Sequence, residues 1–192
     1  MAALVHFDAQ GRWGETLVCE QRIAQALQER GLDFGRLPVR DAGSSLESAL
    51  AAYAPELARL RERLAVRSID RVTPRPDPAE WPRLRAAFLA EHTHAEPEIR
   101  FFLGGTGLFH LRDGDGFLGL LCEAGDWVAV PAGLPHRFDG GEAPAFDALR
   151  LFGSPDGWAA RPTGAALPAL PLLDAFTDHL LELTGHALDE GA

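Results

Sequence analysis

Three histidines and one glutamate are spaced in a way that could build a metal site. His92 and His94 stand two residues apart, Glu98 follows them, and His136 comes after a stretch rich in glycine and proline. In an extended strand, side chains at even spacing fall on one face, so His92, His94 and Glu98 should converge while Thr93 turns away. Imidazoles combined with a carboxylate suit Fe(II), Ni(II), Mn(II) or Zn(II). The sequence therefore predicts a metal centre.

A second carboxylate, Glu96, has the same strand parity as the histidines. Pro97 decides between the two, because proline interrupts regular strand pairing and Glu98 then begins the uninterrupted strand. We therefore expect Glu98 to be the ligand. Arg100 shares this face, and an interior guanidinium needs an anionic partner. That partner is an anionic substrate or, alternatively, a structural carboxylate.

Composition excludes several classes of function. The length of 192 residues fits one domain. A net charge of −10 argues against nucleic-acid and membrane partners. All 18 basic residues are arginines, which excludes lysine-based Schiff-base chemistry. The first residues do not resemble a secretory signal, and no stretch approaches the ~20 apolar residues of a membrane span. We expect a soluble cytoplasmic protein.

The hydrophobic periodicity divides the chain into a helical part and an extended part. Helices are predicted at 16–30, 45–64 and 81–90, with strands between them at 32–39 and 69–73. From Glu98 onward, strand-length apolar runs alternate with turn residues, and Asp113-Gly114-Asp115-Gly116 is a strong hairpin signal. We predict a mainly β fold in one domain, residues 1–192. Helix-strand-helix elements would occupy about 1–90, a β-barrel core about 91–158 and a C-terminal tail 159–192.

Two motifs resemble those of the cupin superfamily. The first is His-x-His with Glu98 four residues later, and the second, Gly-x5-Pro-x-Gly-x2-His, is matched at every fixed position from Gly125 to His136. Ala86 and Gly140 depart from the general pattern at positions that are not ligands. The resemblance implies a double-stranded β-helix, or jelly-roll barrel, with flanking α-helices.

A closer resemblance is to the acireductone dioxygenases of methionine salvage, and it covers the barrel from about Phe88 to Trp158. The segments that carry it are 91–94, 98–102, 107–109, 130–132, 135–136, 138–139, 150–152 and 155–158. It implies one Fe(2+) or Ni(2+) per chain, bound by His92, His94, Glu98 and His136. It also implies that Arg100 helps to form the dianion of the substrate, 1,2-dihydroxy-3-keto-5-(methylthio)pentene. The expected partners are this small molecule and O2, and the chain is expected to be a monomer.

Other positions carry weaker hypotheses. Glu91 matches a family position linked to metal incorporation, although an exposed charge beside a strand is the commoner explanation. Phe88, Phe138 and Trp158 could line an apolar pocket for the methylthio arm, or simply be core residues. Pro97 replaces the acidic residue of many relatives. The alternatives are another metal-cupin enzyme, such as a sugar-phosphate isomerase or an oxalate-degrading enzyme, and a non-catalytic metal-binding cupin.

Overall fold

The computed structural model describes residues 1–73 and 79–185, and this part of the chain contains twelve strands and five helices. The predicted break at 74–78 and the last residues of the tail, 186–192, lie outside the described residues. No helix within the described ranges is long and apolar enough to cross a membrane. In chain order the elements are β1 (Ala3–Phe7), β2 (Trp13–Leu17), α1 (Glu20–Gln28), β3 (Asp33–Arg36), α2 (Leu46–Ala52), α3 (Ala54–Leu64), β4 (Ser68–Val72), α4 (Trp81–Leu89), β5 (His92–Thr93), β6 (Glu98–Gly104), β7 (Thr106–Asp113), β8 (Gly116–Glu123), β9 (Asp126–Val130), β10 (His136–Asp139), β11 (Asp147–Phe152), β12 (Arg161–Pro162) and α5 (Leu173–Thr184).

The strands form two antiparallel sheets. One has seven strands in the order β12-β5-β10-β7-β8-β1-β2, and the other has five in the order β3-β9-β6-β11-β4. Apolar side chains from both sheets fill the space between them, among them Leu4, Phe109, Val128 and Phe138. The alternation of inward and outward residues along each strand is what allows each sheet to present an apolar face to the other. The predicted mainly β architecture with flanking helices is confirmed.

Helices α2, α3 and α5 cover the outer faces of the sheets. Tyr53 and Leu57, from the α2–α3 region, pack against Phe101 and Leu149 of the five-stranded sheet. On the other side, Phe176 of α5 belongs to a core cluster with strand residues of the seven-stranded sheet. Both sheets are therefore buried on two sides. This arrangement gives the strands that carry the site a rigid backing.

The helix predicted at 45–64 is interrupted at Tyr53. Its N-terminus is as expected, since the Ser48 N–H donates to the Ser45 hydroxyl at 3.0 Å, a side-chain cap. Tyr53, however, has φ −116° and ψ 20°, and α3 starts afresh after it with a proline in its first turn. Pro55 lacks the N–H that a continuous helix would need and is tolerated only in a first turn. One predicted helix is thus two.

The sequence pattern did not predict β1 and β2. The predicted first helix begins at Thr16, but Trp13–Leu17 forms β2, and α1 starts at Glu20. β1 lies between β2 and β8, and Ala3 pairs with Leu121. A strand as short as β1, which is apolar apart from His6, cannot be assigned by periodicity alone. The hairpin at 113–116 was predicted correctly, since Asp113 pairs with Gly116 and Gly114 adopts φ +58°.

Candidate metal centre

The structure brings together the four residues that the sequence predicted as ligands. His92 lies in β5, His94 just beyond it, Glu98 at the start of β6 and His136 at the start of β10. All four side chains are buried, and one potential ligand atom from each lies within 4.8 Å of those of the other three. His136 pairs with His92 across the antiparallel strands β10 and β5. The convergence depends on three separate segments of the chain.

The expected reason for this convergence was wrong. Residues six apart on one face of a strand lie about 20 Å apart along it, which is too far for one ion. The chain instead bends at Ala95 and Glu96, and it passes from the seven-stranded sheet at His92 to the five-stranded sheet at Glu98. The Gly133 N–H donates to the His94 carbonyl at 2.9 Å and holds the bend against the turn before His136. A turn, and not strand alternation, closes the site.

Backbone carbonyls orient two of the imidazole rings. The Nδ1 of His92 lies 2.7 Å from the Ala90 carbonyl oxygen, and the Nδ1 of His136 lies 2.8 Å from that of Leu134. A carbonyl only accepts, so Nδ1 carries the proton in both rings and the lone pair resides on Nε2. Outer hydrogen bonds of this kind fix the tautomer of metal-binding histidines. His94 differs, because its Nδ1 has no hydrogen-bond partner within the described part of the chain.

The distances around Glu98 fit a divalent ion. Its Oε2 lies 3.2 Å from Nε2 of His94 and 3.3 Å from Nε2 of His136. Ligand atoms about 2.1 Å from one ion and at right angles to each other lie about 3 Å apart. With Nδ1 of His136 protonated, the Nε2 lone pair faces the carboxylate oxygen, and two electron-rich atoms are stable at this distance only with a cation or a proton between them. The donor set therefore fits a bound ion.

The electrostatics favour the metal-binding protonation states of Glu98 and His92. Burial opposes ionisation of Glu98, but the positive charge of Arg100, together with His136 and His94, outweighs it and holds the pKa of Glu98 well below its usual value. Burial lowers the pKa of His92, only partly offset by its bond to the Ala90 carbonyl. An ionised carboxylate and a neutral imidazole are the states in which Glu98 and His92 can bind metal.

Arg100 points into the site, as its position two residues from Glu98 predicted. Its Nη2 donates to Oε1 of Glu98 at 2.5 Å, which leaves Oε2 facing the histidines. The guanidinium carbon lies 4.3 Å from the ring centre of Phe138 and 5.1 Å from that of Phe109. Arg100 Nε has no hydrogen-bond partner among the described residues. Arg100 therefore does pair with a carboxylate, Glu98, which was the alternative to an anionic substrate. Its buried Nε–H still has no partner among the described residues.

The site opens into a cavity of about 310 Å³ with mostly apolar walls. The three aromatic residues suggested by the sequence all line it. Phe88 and Phe138 meet edge to face at 6.2 Å, whereas Trp158 is 55% exposed at the rim. The other lining residues are Ala87, Phe109, Arg150, Phe152 and Ala160, beside Arg100 and the four candidate ligands. A cavity of this size and polarity suits a small ligand with an apolar arm.

Comparisons with known proteins identify the family. The ARD/ARD' family model matches residues 45–160, more than half of the chain. An acireductone dioxygenase from Synechococcus sp. (strain RCC307) is 46% identical over 145 residues, which are 74% of this chain and 78% of that protein. The chain belongs to the ARD/ARD' family. The acireductone dioxygenase of Stutzerimonas stutzeri (strain A1501) is 44% identical over 157 residues, 79% of this chain and 86% of its own. The resemblance inferred from the motifs is confirmed.

A solved structure shares the ARD/ARD' fold found here. The acireductone dioxygenase from Bacillus anthracis, with a cadmium ion in its active centre, has a TM-score of 0.73 to this chain at 24% sequence identity. The match covers 84% of this chain and 98% of that one. It supports the architecture of two sheets with flanking helices over most of the chain.

Two features of this ARD/ARD' site differ from the sequence interpretation. Glu91 was expected to be an exposed charge, but it is only 7% exposed and forms an ion pair with Arg112 at 2.7 Å. Arg150 was not assigned a role, yet it pairs with Arg100 across β11 and β6 and reaches the cavity wall, where it also binds Asp70. The sequence did contain a signal for Arg150: it stands two residues before Phe152 in one strand, so both side chains point to the same, inward face. The burial of Glu91 depends on partners remote in sequence.

Proposed function

We propose that the chain is an acireductone dioxygenase that binds one Fe(2+) or Ni(2+) and cleaves 1,2-dihydroxy-3-keto-5-(methylthio)pentene with O2. One observation carries the proposal. In a chain of the ARD/ARD' family, three imidazoles and Glu98 converge within 4.8 Å at an apolar cavity. With iron the expected products are formate and 4-methylthio-2-oxobutanoate. With nickel they are formate, carbon monoxide and 3-(methylthio)propionate, and both sets contain all the atoms of one substrate and one O2.

The candidate ligands would hold the ion at the inner end of the cavity. His92, His94, Glu98 and His136 supply four donors, which leave about two positions of an octahedral ion for a chelating substrate. When bound, the ion supplies Lewis acidity that favours and orients an enediolate. The chain contributes three imidazoles, and the carbonyls of Ala90 and Leu134 orient the rings of His92 and His136.

Arg100 would stabilise the anionic substrate. It is 7% exposed, so its charge acts in a medium of low dielectric constant, where an anion beside it is favoured. Its Nη2 is engaged by Glu98, but the buried Nε–H is available to donate to a substrate oxygen. The ring of Phe138 at 4.3 Å holds the guanidinium plane in place. Arg100 thus links the carboxylate ligand with the position expected for the enediolate.

The apolar walls support this substrate over those of other metal cupins. Phe88 and Phe138 would pack against the methylthio arm, and Trp158 at the rim would limit access of water. A sugar phosphate or oxalate would need a largely polar or basic lining. Arg100 and Arg150 are the cavity's arginines, and each is already bound to a carboxylate, Glu98 and Asp70 respectively. The lining therefore suits one anionic centre with an apolar arm.

The test is metal exchange in one protein. Apo-protein is loaded separately with Fe(2+) and Ni(2+), supplied with substrate and O2, and analysed for O2 consumption, carbon monoxide, formate and the two longer acids. His136→Ala treated in the same way is the control for reaction in solution. Carbon monoxide from the nickel form alone would support both the dioxygenase activity and the dependence of its products on the metal. Identical products from both forms would contradict metal-directed cleavage, and no O2 consumption above the control would contradict the function.

A further inference from the structure

The strand that carries His92 is too short to be fixed by its own pairing. β5 contains only His92 and Thr93. On one side it pairs with β10 through a single residue pair, His136 with His92. On the other it pairs with β12, where Arg161 is opposite Thr93 and Pro162 is opposite His92. Proline lacks an N–H and cannot donate to the ladder. Other contacts must hold this segment if His92 is to keep a defined position.

Glu91, immediately before His92, is held by hydrogen bonds from Thr163 and Arg112. The Thr163 N–H donates to the Glu91 carbonyl at 2.9 Å, and the Thr163 hydroxyl donates to Oε1 at 2.7 Å. Arg112 Nε donates to Oε2 at 2.7 Å. The Glu91 side chain is 4% exposed, so its charge is compensated almost entirely by these partners. Both main chain and side chain of this residue are fixed from outside β5.

Arg112 makes the corresponding contact to the other histidine strand. Its backbone N–H donates at 3.0 Å to the carbonyl of Pro135, the residue immediately before His136. Its guanidinium carbon lies 4.7 Å from the ring centre of Phe117, its cross-strand neighbour on β8, which orients the side chain toward Glu91. One residue of β7 therefore bonds to the residues that precede both His92 and His136.

We infer that Arg112, Glu91 and Thr163 form a positioning clamp that sets the separation of His92 and His136 and thereby the affinity of the site for metal. The inference rests on the metal centre of the proposed function. The clamp touches neither ion nor substrate, and it acts by restricting the backbone on which the two imidazoles stand. It also assigns the segment after β12 a part in the site, since Thr163 extends the contact between β12 and β5 to Glu91.

The test measures Ni(2+) affinity by competition between apo-protein and a chelator. Arg112→Met removes the guanidinium but keeps the apolar stem. Removal of outer hydrogen-bond partners of metal ligands typically weakens metal binding about 10- to 100-fold, and we expect a loss in that range. Arg30→Met is a matched control, because Arg30 Nε binds Asp113 at the end of the same strand at 2.8 Å and Arg30 is also 29% exposed. It should bind Ni(2+) within about twofold of wild type, since it contacts neither histidine strand.

A double-mutant cycle separates a clamp from general loosening. Glu91→Gln and Arg112→Met should together weaken Ni(2+) binding no more than the stronger single change does, because each breaks the same unit. Thr163→Val is near-isosteric and keeps the Thr163 N–H bond to Glu91, but it removes the hydroxyl that donates to Glu91 and accepts from the Ala165 N–H. It therefore reports on the clamp even if Arg112→Met fails to fold. The clamp would be overturned if Thr163→Val and Arg112→Met both bound Ni(2+) with wild-type affinity. It would also be overturned if Arg30→Met lost as much Ni(2+) affinity as Arg112→Met, or if the losses of affinity in the double-mutant cycle were additive. Wild-type protein that binds no Ni(2+) would instead overturn the metal centre itself.

Discussion

Nε2 of His136 lies 3.3 Å from Oε2 of Glu98, although the two residues begin strands of different sheets. His136 opens β10 of the seven-stranded sheet, and Glu98 opens β6 of the five-stranded sheet. The site therefore forms where the two sheets meet. Its geometry depends on how the sheets pack and not on one local motif.

Replacing the candidate ligands should remove metal and activity together. His92→Ala, His94→Ala and His136→Ala each delete one of four donors. We expect each variant to lose most bound metal, as measured by elemental analysis of protein purified in the presence of Fe(2+) or Ni(2+), and nearly all O2 consumption with substrate. Full metal occupancy and turnover in any of them would exclude that residue as a ligand.

Replacing Glu98 should reduce metal content and turnover far more than replacing Glu96. Glu98→Gln should be as severe as the histidine changes, because Oε2 of Glu98 faces two imidazoles. Glu96→Gln is the matched control and should be mild, because the Glu96 side chain is directed at the turn formed by Gly153 and Gly157. Metal content and turnover of both variants provide the comparison. The opposite ranking would show that Glu96 is the ligand.

Arg100→Met should keep its metal and lose rate. All four donors remain, but the charge and the unpartnered Nε–H beside the substrate position are gone. Loss of one preorganised donor to a developing oxyanion costs about 10²- to 10³-fold in kcat, and we expect a fall of that order. The absorption spectrum of the anaerobic substrate complex reports the ionisation of bound substrate independently. An unchanged spectrum together with unchanged kinetics would leave Arg100 only the task of holding Glu98.

Gly107→Ala should disturb the cavity wall through Phe138. A Cβ at residue 107 would lie 2.4 Å from the Phe138 ring and 3.0 Å from that of Phe102. Overpacking of this kind typically costs about 1–3 kcal/mol, and we expect a loss of stability in that range on denaturant unfolding. KM for the substrate should also rise, because Phe138 must shift. Gly104→Ala is the control, since its Cβ would meet nothing closer than 3.8 Å, and an equal loss in both variants would contradict the argument.

His110 should make the fold less stable in acid. Burial, with the charge of Arg137 nearby, lowers its pKa from 6.5 to about 3. Because the folded pKa lies below the unfolded value, the unfolded chain takes up the proton first. The stability is therefore complete above pH ~6.5 and is lost as the pH falls toward ~3, at up to about 1.4 kcal/mol per pH unit. His110→Gln keeps an acceptor for Arg137 but cannot titrate, so the apo variant should show a shallower slope than wild-type apo-protein in urea unfolding between pH 4 and 7. Equal slopes would contradict the buried neutral state.

Local chemistry made part of the site predictable. Pro97 distinguished Glu98 from Glu96, and β6 indeed begins at Glu98. The fixed positions from Gly125 to His136 indicated a turn that returns the chain to the interior, and Gly133 there has φ +77°. These signals are readable because proline and glycine restrict or extend the backbone within one or two residues. No remote partner is needed to interpret them.

Features that depend on distant partners were not predictable. The sequence favoured an exposed Glu91, because its partners Arg112 and Thr163 are remote along the chain. The meeting of His92 and Glu98 was expected for the wrong reason, since the bend between the sheets leaves no pattern in hydrophobicity. β1 was not predicted because its short sequence is recognisable as a strand only from its pairing with β8. Each case is a tertiary contact that local periodicity does not encode.

The position of β1 between β2 and β8 also bears on how quickly the protein can fold. Ala3 must find Leu121, and Ser68 must find Phe152, before either ladder can stabilise the chain. Closing such long loops costs entropy in advance, so folds dominated by distant pairings form on the order of milliseconds to seconds. His92 and His136 meet only when their own distant strands pair. Metal uptake during refolding should therefore lag behind helix formation and mark the late closure of the barrel.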